Sequence, residues 1–268
     1  RPGGGPLMSG RRSMAGHAAQ LARRAGEVAV SLDFDGTIAP IVEDPAAAQP
    51  LAGTIELLGP LAERYAGVAL VSGRPATYLA SHAAAPGVRY LGLYGLEEIV
   101  DGRVHVDPRL AAARPAVEAA ARDLAADPAV AASGAHLEDK RYAVAVHIRR
   151  VADPERWAEP IGQAAARVAA RHDLEIVPGR MVWELRPRVR SDKGDAVRRV
   201  AAESGATALV VVGDDRGDLP AFAAAAELGG GLRVAVGSAE APPELLDAAD
   251  LVLDGPEGVR ELLEHLLA

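Results

Sequence analysis

The chain has 268 residues, 49% of them apolar and 3% aromatic, with no cysteine and a formal net charge of −8. That length suits one large domain or two smaller ones with an aliphatic, alanine-rich core, and the charge argues for a soluble protein and against broad nucleic-acid binding. The missing cysteine excludes disulfides, thiolate catalysis and cysteine-ligated zinc, and no apolar run approaches the roughly 20 residues of a membrane helix.

Residues 1–13 open with Arg1-Pro2-Gly3-Gly4-Gly5-Pro6 and read as a disordered tail, since Arg11-Arg12 lacks the apolar stretch that follows the basic start of a signal peptide. A short helix is expected near 14–25. The valine-rich run Val28-Ala29-Val30-Ser31-Leu32 then reads as a buried strand that ends in Asp33-Phe34-Asp35-Gly36-Thr37. A proline-punctuated loop to Pro45, a helix near 51–65 and a strand at Val68–Val71 follow, the strand running into Ser72-Gly73-Arg74-Pro75. The pattern next predicts a helix at 76–83, a strand at Tyr90–Leu93 and a hairpin to about 105 turning at Asp101-Gly102.

Character changes in the middle. After an alanine-rich helix near 109–127, the stretch from Tyr142 to Arg149 alternates, and a helix at 153–172 leads to strands Leu174–Val177 and Met181–Arg186 joined through Pro178-Gly179. Period-two alternation marks half-exposed strands, unlike the continuous apolar runs on either side, so residues 106–187 read as a second module inserted between 14–105 and 188–268. Tyr142, Val144, Val146, Ile148, Met181, Trp183 and Leu185 form the face expected to pack on helices, with Trp183 read as core. The other face carries His147, Arg149, Glu184 and Arg186, which reads equally as the floor of a polar ligand site or as a solvated surface. From 190 the α/β pattern resumes: a helix from Lys193, a strand at Leu209–Val212 ending in Gly213-Asp214-Asp215, a helix near 218–228, strands at Leu232–Val236 and Leu251–Leu253, and a last helix near 257–267.

Three apolar strands thus end in Asp33/Asp35, in Ser72-Gly73, and in Asp214/Asp215 with Asp218 beyond. A parallel sheet would gather these ends at one edge, where α/β folds bind ligands, and Lys193 opens a helix whose first N–H groups favour anions. Five carboxylates with one lysine repel one another unless some are protonated or a cation joins them. All-oxygen ligands favour a hard ion, and Mg²⁺ combines carboxylates with phosphate oxygens. Asp33 is the candidate nucleophile.

These motifs resemble the haloacid dehalogenase superfamily of phosphotransferases: Asp33–Thr37 as its first motif, Ser72 its second, Lys193 its third, and Gly213-Asp214-Asp215-Arg216-Gly217-Asp218 its fourth. Within it the chain looks most like the trehalose-6-phosphate phosphatases, through Ser72-Gly73-Arg74, Gly92-Leu93-Tyr94-Gly95-Leu96-Glu97, Glu138-Asp139-Lys140, His147-Ile148-Arg149 and Gly179-Arg180-Met181-Val182-Trp183-Glu184-Leu185-Arg186-Pro187. Tyr94 stands where that family usually has His, Arg180 where it has Lys, and Gly217-Asp218-Leu219 where it has Thr-Asp-Glu; a guanidinium fork is not equivalent to an ammonium.

The resemblance implies a Rossmann-like core with a parallel sheet and an inserted α+β cap of the C2B type. It implies hydrolysis of trehalose 6-phosphate through an aspartyl-phosphate on Asp33, with Asp35 as acid and base, and Ser72, the Gly73 N–H and Lys193 on the phosphoryl oxygens. Mg²⁺ would be held by Asp33, Asp35 through its carbonyl, and Asp214, with Asp215 and Asp218 acting through water or on neighbours. Substrate contacts are expected from Gly73, Arg74, Glu97, Glu138, Lys140, His147, Arg149, Arg180 and Glu184, with the cap closing over the sugar. The expected setting is cytoplasmic, with a trehalose-6-phosphate synthase as functional partner and neither nucleic acid nor membrane. Other sugar or pseudo-sugar phosphates remain an alternative substrate; a phospho-receiver domain and a non-catalytic partner domain are the readings from other classes.

Overall fold

The structure, a computed structural model, describes residues 7–42, 47–100, 102–179, 181–238 and 241–268, with side chains described from Met14 onward. Arg180 lies outside the described residues, as do residues 1–6 of the expected tail. The chain divides into two compact units, Arg1–His105 with Ser191–Ala268, and Val106–Arg190.

In chain order the first unit begins with α1 (Leu7–Ala22), β1 (Val28–Leu32), α2 (Ile55–Arg64), β2 (Gly67–Val71), α3 (Ala76–His82), β3 (Val88–Gly92), β4 (Glu97–Val100) and β5 (Arg103–Val106). The second unit contains α4 (Pro108–Ala126), α5 (Pro128–Ser133), β6 (His136–Asp139), β7 (Val144–His147), α6 (Pro154–Arg171), β8 (Leu174–Gly179) and β9 (Val182–Pro187). The first unit then resumes with α7 (Lys193–Ser204), β10 (Ala208–Gly213), α8 (Leu219–Leu228), β11 (Leu232–Gly237), α9 (Pro243–Ala248), β12 (Leu251–Asp254) and α10 (Gly255–Leu267).

The large sheet runs β12-β11-β10-β1-β2-β3-β4-β5. The pairs from β12 to β3 are parallel, and β4 turns back antiparallel on β3. Why β1 is almost wholly apolar follows from its place: Val28, Val30 and Leu32 belong to one core cluster and Ala29 to the cluster on the opposite face, where only the small Ser31 is polar. A central strand covered on both faces has no solvent side to mark with polar residues. Each fully buried valine or leucine there contributes roughly 1.5–3 kcal/mol.

The chain goes from β1 outward to β2 and β3, then returns to place β10 on β1's other side. That reversal is a topological switch point, and the crevice at the strands' carboxyl ends lies between β1 and β10. Asp33 extends the pairing by donating its N–H to the Val212 carbonyl at 3.0 Å, which brings it level with the end of β10.

In the second unit the antiparallel order is β6-β7-β9-β8. Val144, Val146, Ile148 and Leu185 sit in a buried cluster with Ile161, Ala164 and Val168 of α6, and Trp183 packs against it as the alternation predicts. The strand expected over Tyr142–Arg149 is shorter, because Lys140–Tyr142 turn first. Arg141 adopts a left-handed φ of 68°, and the Lys140 N–H donates to the Ala143 carbonyl at 2.9 Å. Strand β6 and helices α5 and α9, which the periodicity did not mark, are each four to six residues long. Elements this short carry too few residues to show a period.

Candidate active site

Asp33 follows β1 and is 7% exposed. Its Oδ2 lies 2.9 Å from the Lys193 ammonium, and its Oδ1 is buried with no hydrogen-bond partner among the described residues. Lys193 is the first residue of α7, 4% exposed, and its ammonium also reaches Asp218 Oδ1 at 2.7 Å. Asp192 fixes that helix start by accepting the Asp195 N–H at 2.9 Å.

Asp214 and Asp215 follow β10. Asp218 accepts both of their backbone N–H groups on Oδ2, at 3.1 and 3.2 Å, and so shapes the loop while its other oxygen holds the lysine. Asp215 turns its own carboxylate back onto the Gly217 N–H at 2.8 Å. Gly36 is obligatory here: its φ is +73°, and a Cβ would stand 2.0 Å from Asp214 Oδ2.

The electrostatics follow from this crowding. Burial pushes the Asp33 carboxyl up to about 6, against the pull of Lys193. Burial, with the charges of Asp218 and Asp215, raises Asp214 to about 7. Burial and the charge of Asp33 raise Asp218 to about 7 against Lys193. Burial alone would lower Lys193, but Asp33 and Asp218 outweigh it and hold the ammonium above the ordinary lysine range. Carboxylates pushed up together lack positive charge. Oxygens of Asp33, Asp214 and Asp218 lie within 4.8 Å of one another, so the cluster has the spacing and the all-oxygen donors of a hard divalent cation site. The unpartnered Asp33 Oδ1 is the observation that favours this fit.

Ser72 follows β2, is buried, and accepts the Arg74 N–H on Oγ at 3.3 Å. Asp33, Ser72 and Asp214 therefore stand at the ends of neighbouring strands, with Lys193 between Asp33 and Asp218. Asp35 is partly exposed and is held by Arg74 through both oxygens.

The structure gives protein partners to several residues expected on the substrate. Arg74, expected on the substrate, is paired with Asp35 and lies over the Tyr78 ring with its guanidinium carbon 4.4 Å from the centroid. Tyr78 follows Arg74 by four residues, a spacing that could have revealed this shelf. Lys193 is therefore not the sole cation among the five carboxylates. Glu97, also expected on the substrate, is 3% exposed and accepts the Ala76 N–H at 3.2 Å, at the start of α3.

In the second unit, Lys140 reaches Glu184 at 2.6 Å and His147 reaches Glu138 at 2.9 Å, so these four polar residues of one sheet face bind one another. Strand β7 ends at His147, and Arg149 lies in the exposed turn beyond it rather than on the strand. Arg180 falls outside the described residues.

The family model for trehalose-phosphatase matches residues 31–254. A trehalose-phosphate phosphatase of Mycobacterium avium (strain 104) is 40% identical over 203 residues, covering 72% of this chain and 50% of its own length. One of Mycobacterium leprae (strain TN) is 34% identical over 253 residues, covering 90% and 58%. The chain spans about half the length of these curated relatives. In fold it is similar to the C-terminal domain of the C. albicans trehalose-6-phosphate phosphatase, with 23% identity, a TM-score of 0.66 and 96% of each chain covered.

Proposed function

Because the chain belongs to the trehalose-phosphatase family, we propose that it hydrolyses trehalose 6-phosphate to trehalose and inorganic phosphate with the help of Mg²⁺. The observation that carries the reading is Asp33: one carboxylate oxygen on Lys193 and the other buried without a partner, at a sheet's switch point.

Asp33 attacks phosphorus, the sugar oxygen leaves, and the resulting aspartyl-phosphate is hydrolysed by water at phosphorus. Asp35 protonates the departing oxygen and then takes a proton from the water. Ser72, the Gly73 N–H and Lys193 hold the phosphoryl oxygens, and Lys193 keeps Asp33 oriented between turnovers. Mg²⁺, with Asp33, Asp214 and the Asp35 carbonyl as proposed ligands, supplies charge neutralisation for the phosphoryl oxygens. Asp218 and Asp215 shape the loop that carries Asp214 rather than reacting.

In the second unit Glu138, Lys140, His147 and Glu184, with Arg149 and Arg180, are the proposed sugar contacts. The Lys140–Glu184 and His147–Glu138 pairs supply both donors and acceptors that sugar hydroxyls can take over. A trehalose-6-phosphate synthase is the proposed supplier of the substrate and the cytoplasm the proposed setting, since sugar phosphates are made and kept there.

Phosphate release from trehalose 6-phosphate, sucrose 6-phosphate and glucose 6-phosphate with Mg²⁺ tests the assignment. Selective turnover of the first supports it. Preference for another sugar phosphate overturns the substrate and keeps the chemistry, whereas full activity of Asp33→Asn removes the nucleophile.

A further inference from the structure

Between β3 and β4 the backbone bends through two consecutive left-handed residues, Leu93 with φ 50° and Tyr94 with φ 58° and ψ 36°. Residues with a Cβ resist this region, and such outliers persist only where the surroundings hold them. Here the holding groups are explicit. The Leu93 N–H donates to the Arg74 carbonyl at 2.9 Å and the Tyr94 N–H to the Ser72 carbonyl at 3.0 Å. Ser191 Oγ donates to the Tyr94 carbonyl at 2.7 Å, and Arg199 to the Gly95 carbonyl at 3.0 Å. The strained turn is thus tied on one side to the Ser72–Arg74 loop and on the other to the segment that delivers Lys193.

The bend sets the Tyr94 phenol against that loop. Its oxygen lies 2.7 Å, and its ring carbon Cζ 2.9 Å, from where a Cβ on Gly73 would stand, so any side chain at residue 73 would push the ring aside. Tyr94 is a large side chain left 39% exposed, and its hydroxyl has no hydrogen-bond partner among the described residues. A phenol oxygen both donates and accepts, and a donor beside a phosphoryl anion forms a charge-assisted bond stronger than a neutral one.

We propose that the Tyr94 hydroxyl binds the phosphoryl group of the substrate, as a donor beside Gly73 in addition to Ser72, the Gly73 N–H and Lys193. This rests on the phosphatase reading above. It gives the strained turn a purpose: the same bend that ties the loop to the Lys193 segment delivers one more donor to the anion. The hydroxyl end of the ring is the end at the loop, so the contact falls on phosphate rather than on sugar.

The test compares wild type, Tyr94→Phe and Tyr94→His, loaded with Mg²⁺, for binding of inorganic phosphate by titration calorimetry. Loss of one donor to a charged acceptor predicts affinity weakened about tenfold or more in Tyr94→Phe, with substantial recovery in Tyr94→His and no change in melting temperature. The same factor is expected in kcat/KM for p-nitrophenyl phosphate and for trehalose 6-phosphate. Unchanged phosphate affinity in Tyr94→Phe overturns the proposal, as does a loss confined to trehalose 6-phosphate, which would make Tyr94 a sugar contact. Binding is read without turnover. A protein that binds phosphate through Tyr94 and ignores trehalose 6-phosphate would therefore sink the substrate assignment alone.

Discussion

Arg74 holds Asp35 by both carboxylate oxygens, Nε on Oδ2 at 2.8 Å and Nη2 on Oδ1 at 2.6 Å. Beneath the guanidinium lies Tyr78, which stacks on His82 at 4.0 Å and meets the edge of Phe34 at 5.6 Å. Phe34 joins Asp33 to Asp35 in the chain, so the shelf under Arg74 is built on the same turn that carries both carboxylates. A fork on two oxygens fixes a carboxylate's direction as well as its position.

Direction matters most for a group that must meet a departing oxygen. Arg74→Ala is therefore expected to lower kcat on trehalose 6-phosphate about 100-fold, the low end of what acid–base catalysis contributes. With p-nitrophenyl phosphate, whose leaving group departs without a proton, the burst of p-nitrophenol that accompanies aspartyl-phosphate formation should slow by no more than about threefold, whereas steady-state turnover, which still needs Asp35 as base, should fall. Arg74→Lys should resemble Arg74→Ala, because a point charge cannot hold both oxygens. Equal slowing of aspartyl-phosphate formation from the two substrates would instead place Arg74 on the phosphoryl group.

The residues at strand ends were legible in sequence because the sheet is parallel and buried on both faces. Val28–Leu32, broken only by the small Ser31, and Leu209–Val212 announce themselves as apolar runs, and whatever follows such a run lands at the ligand edge. The alternation of residues 144–148 and 183–185 likewise predicts which face of the smaller sheet packs on helices. What could not be read is which partner a long side chain chooses. The resemblance puts Arg74 and Glu97 on the substrate; their partners in the structure, Asp35 for one and the start of α3 for the other, carry no sequence pattern. A single chain offers no signal for a contact between residues 39 or 21 positions apart. The left-handed Tyr94 is equally silent, since nothing in its residue type demands that conformation.

The raised carboxyls make a prediction about metal and pH together. Asp33 near 6, and Asp214 and Asp218 near 7, lie above the ordinary value of 3.8. Between about pH 4 and pH 7 the metal-free native state holds more protons than the unfolded chain, so these groups contribute stability that is full below about pH 4 and is lost as pH rises through their native values. Lys193, raised, stays charged throughout this window. A cation displaces those protons and takes the ionised form. The melting-temperature increase on adding Mg²⁺ should therefore be small near pH 5 and largest above pH 7, by differential scanning calorimetry. An increase independent of pH would separate the metal from these three carboxylates.

Glu97 supports the phosphate loop from below and should behave as a support rather than a contact. Its carboxylate accepts the Ala76 N–H where Pro75 hands the loop to α3, and the Arg74 carbonyl above is held in turn by the Leu93 N–H. Removing the acceptor leaves a buried helix-start N–H unpaired, which costs roughly 1–3 kcal/mol. Glu97→Ala is expected to lower unfolding stability by about that amount, read from urea titration. It should reduce kcat/KM for p-nitrophenyl phosphate and trehalose 6-phosphate by the same factor, because the Ser72–Arg74 loop it would displace is proposed to hold the phosphoryl group common to both. Glu97→Gln keeps an acceptor and should restore most of both losses. A rise in KM for trehalose 6-phosphate alone, with stability intact, would return Glu97 to the sugar. Uniform loss with reduced stability places it beneath the loop, where its burial and the Ala76 hydrogen bond put it.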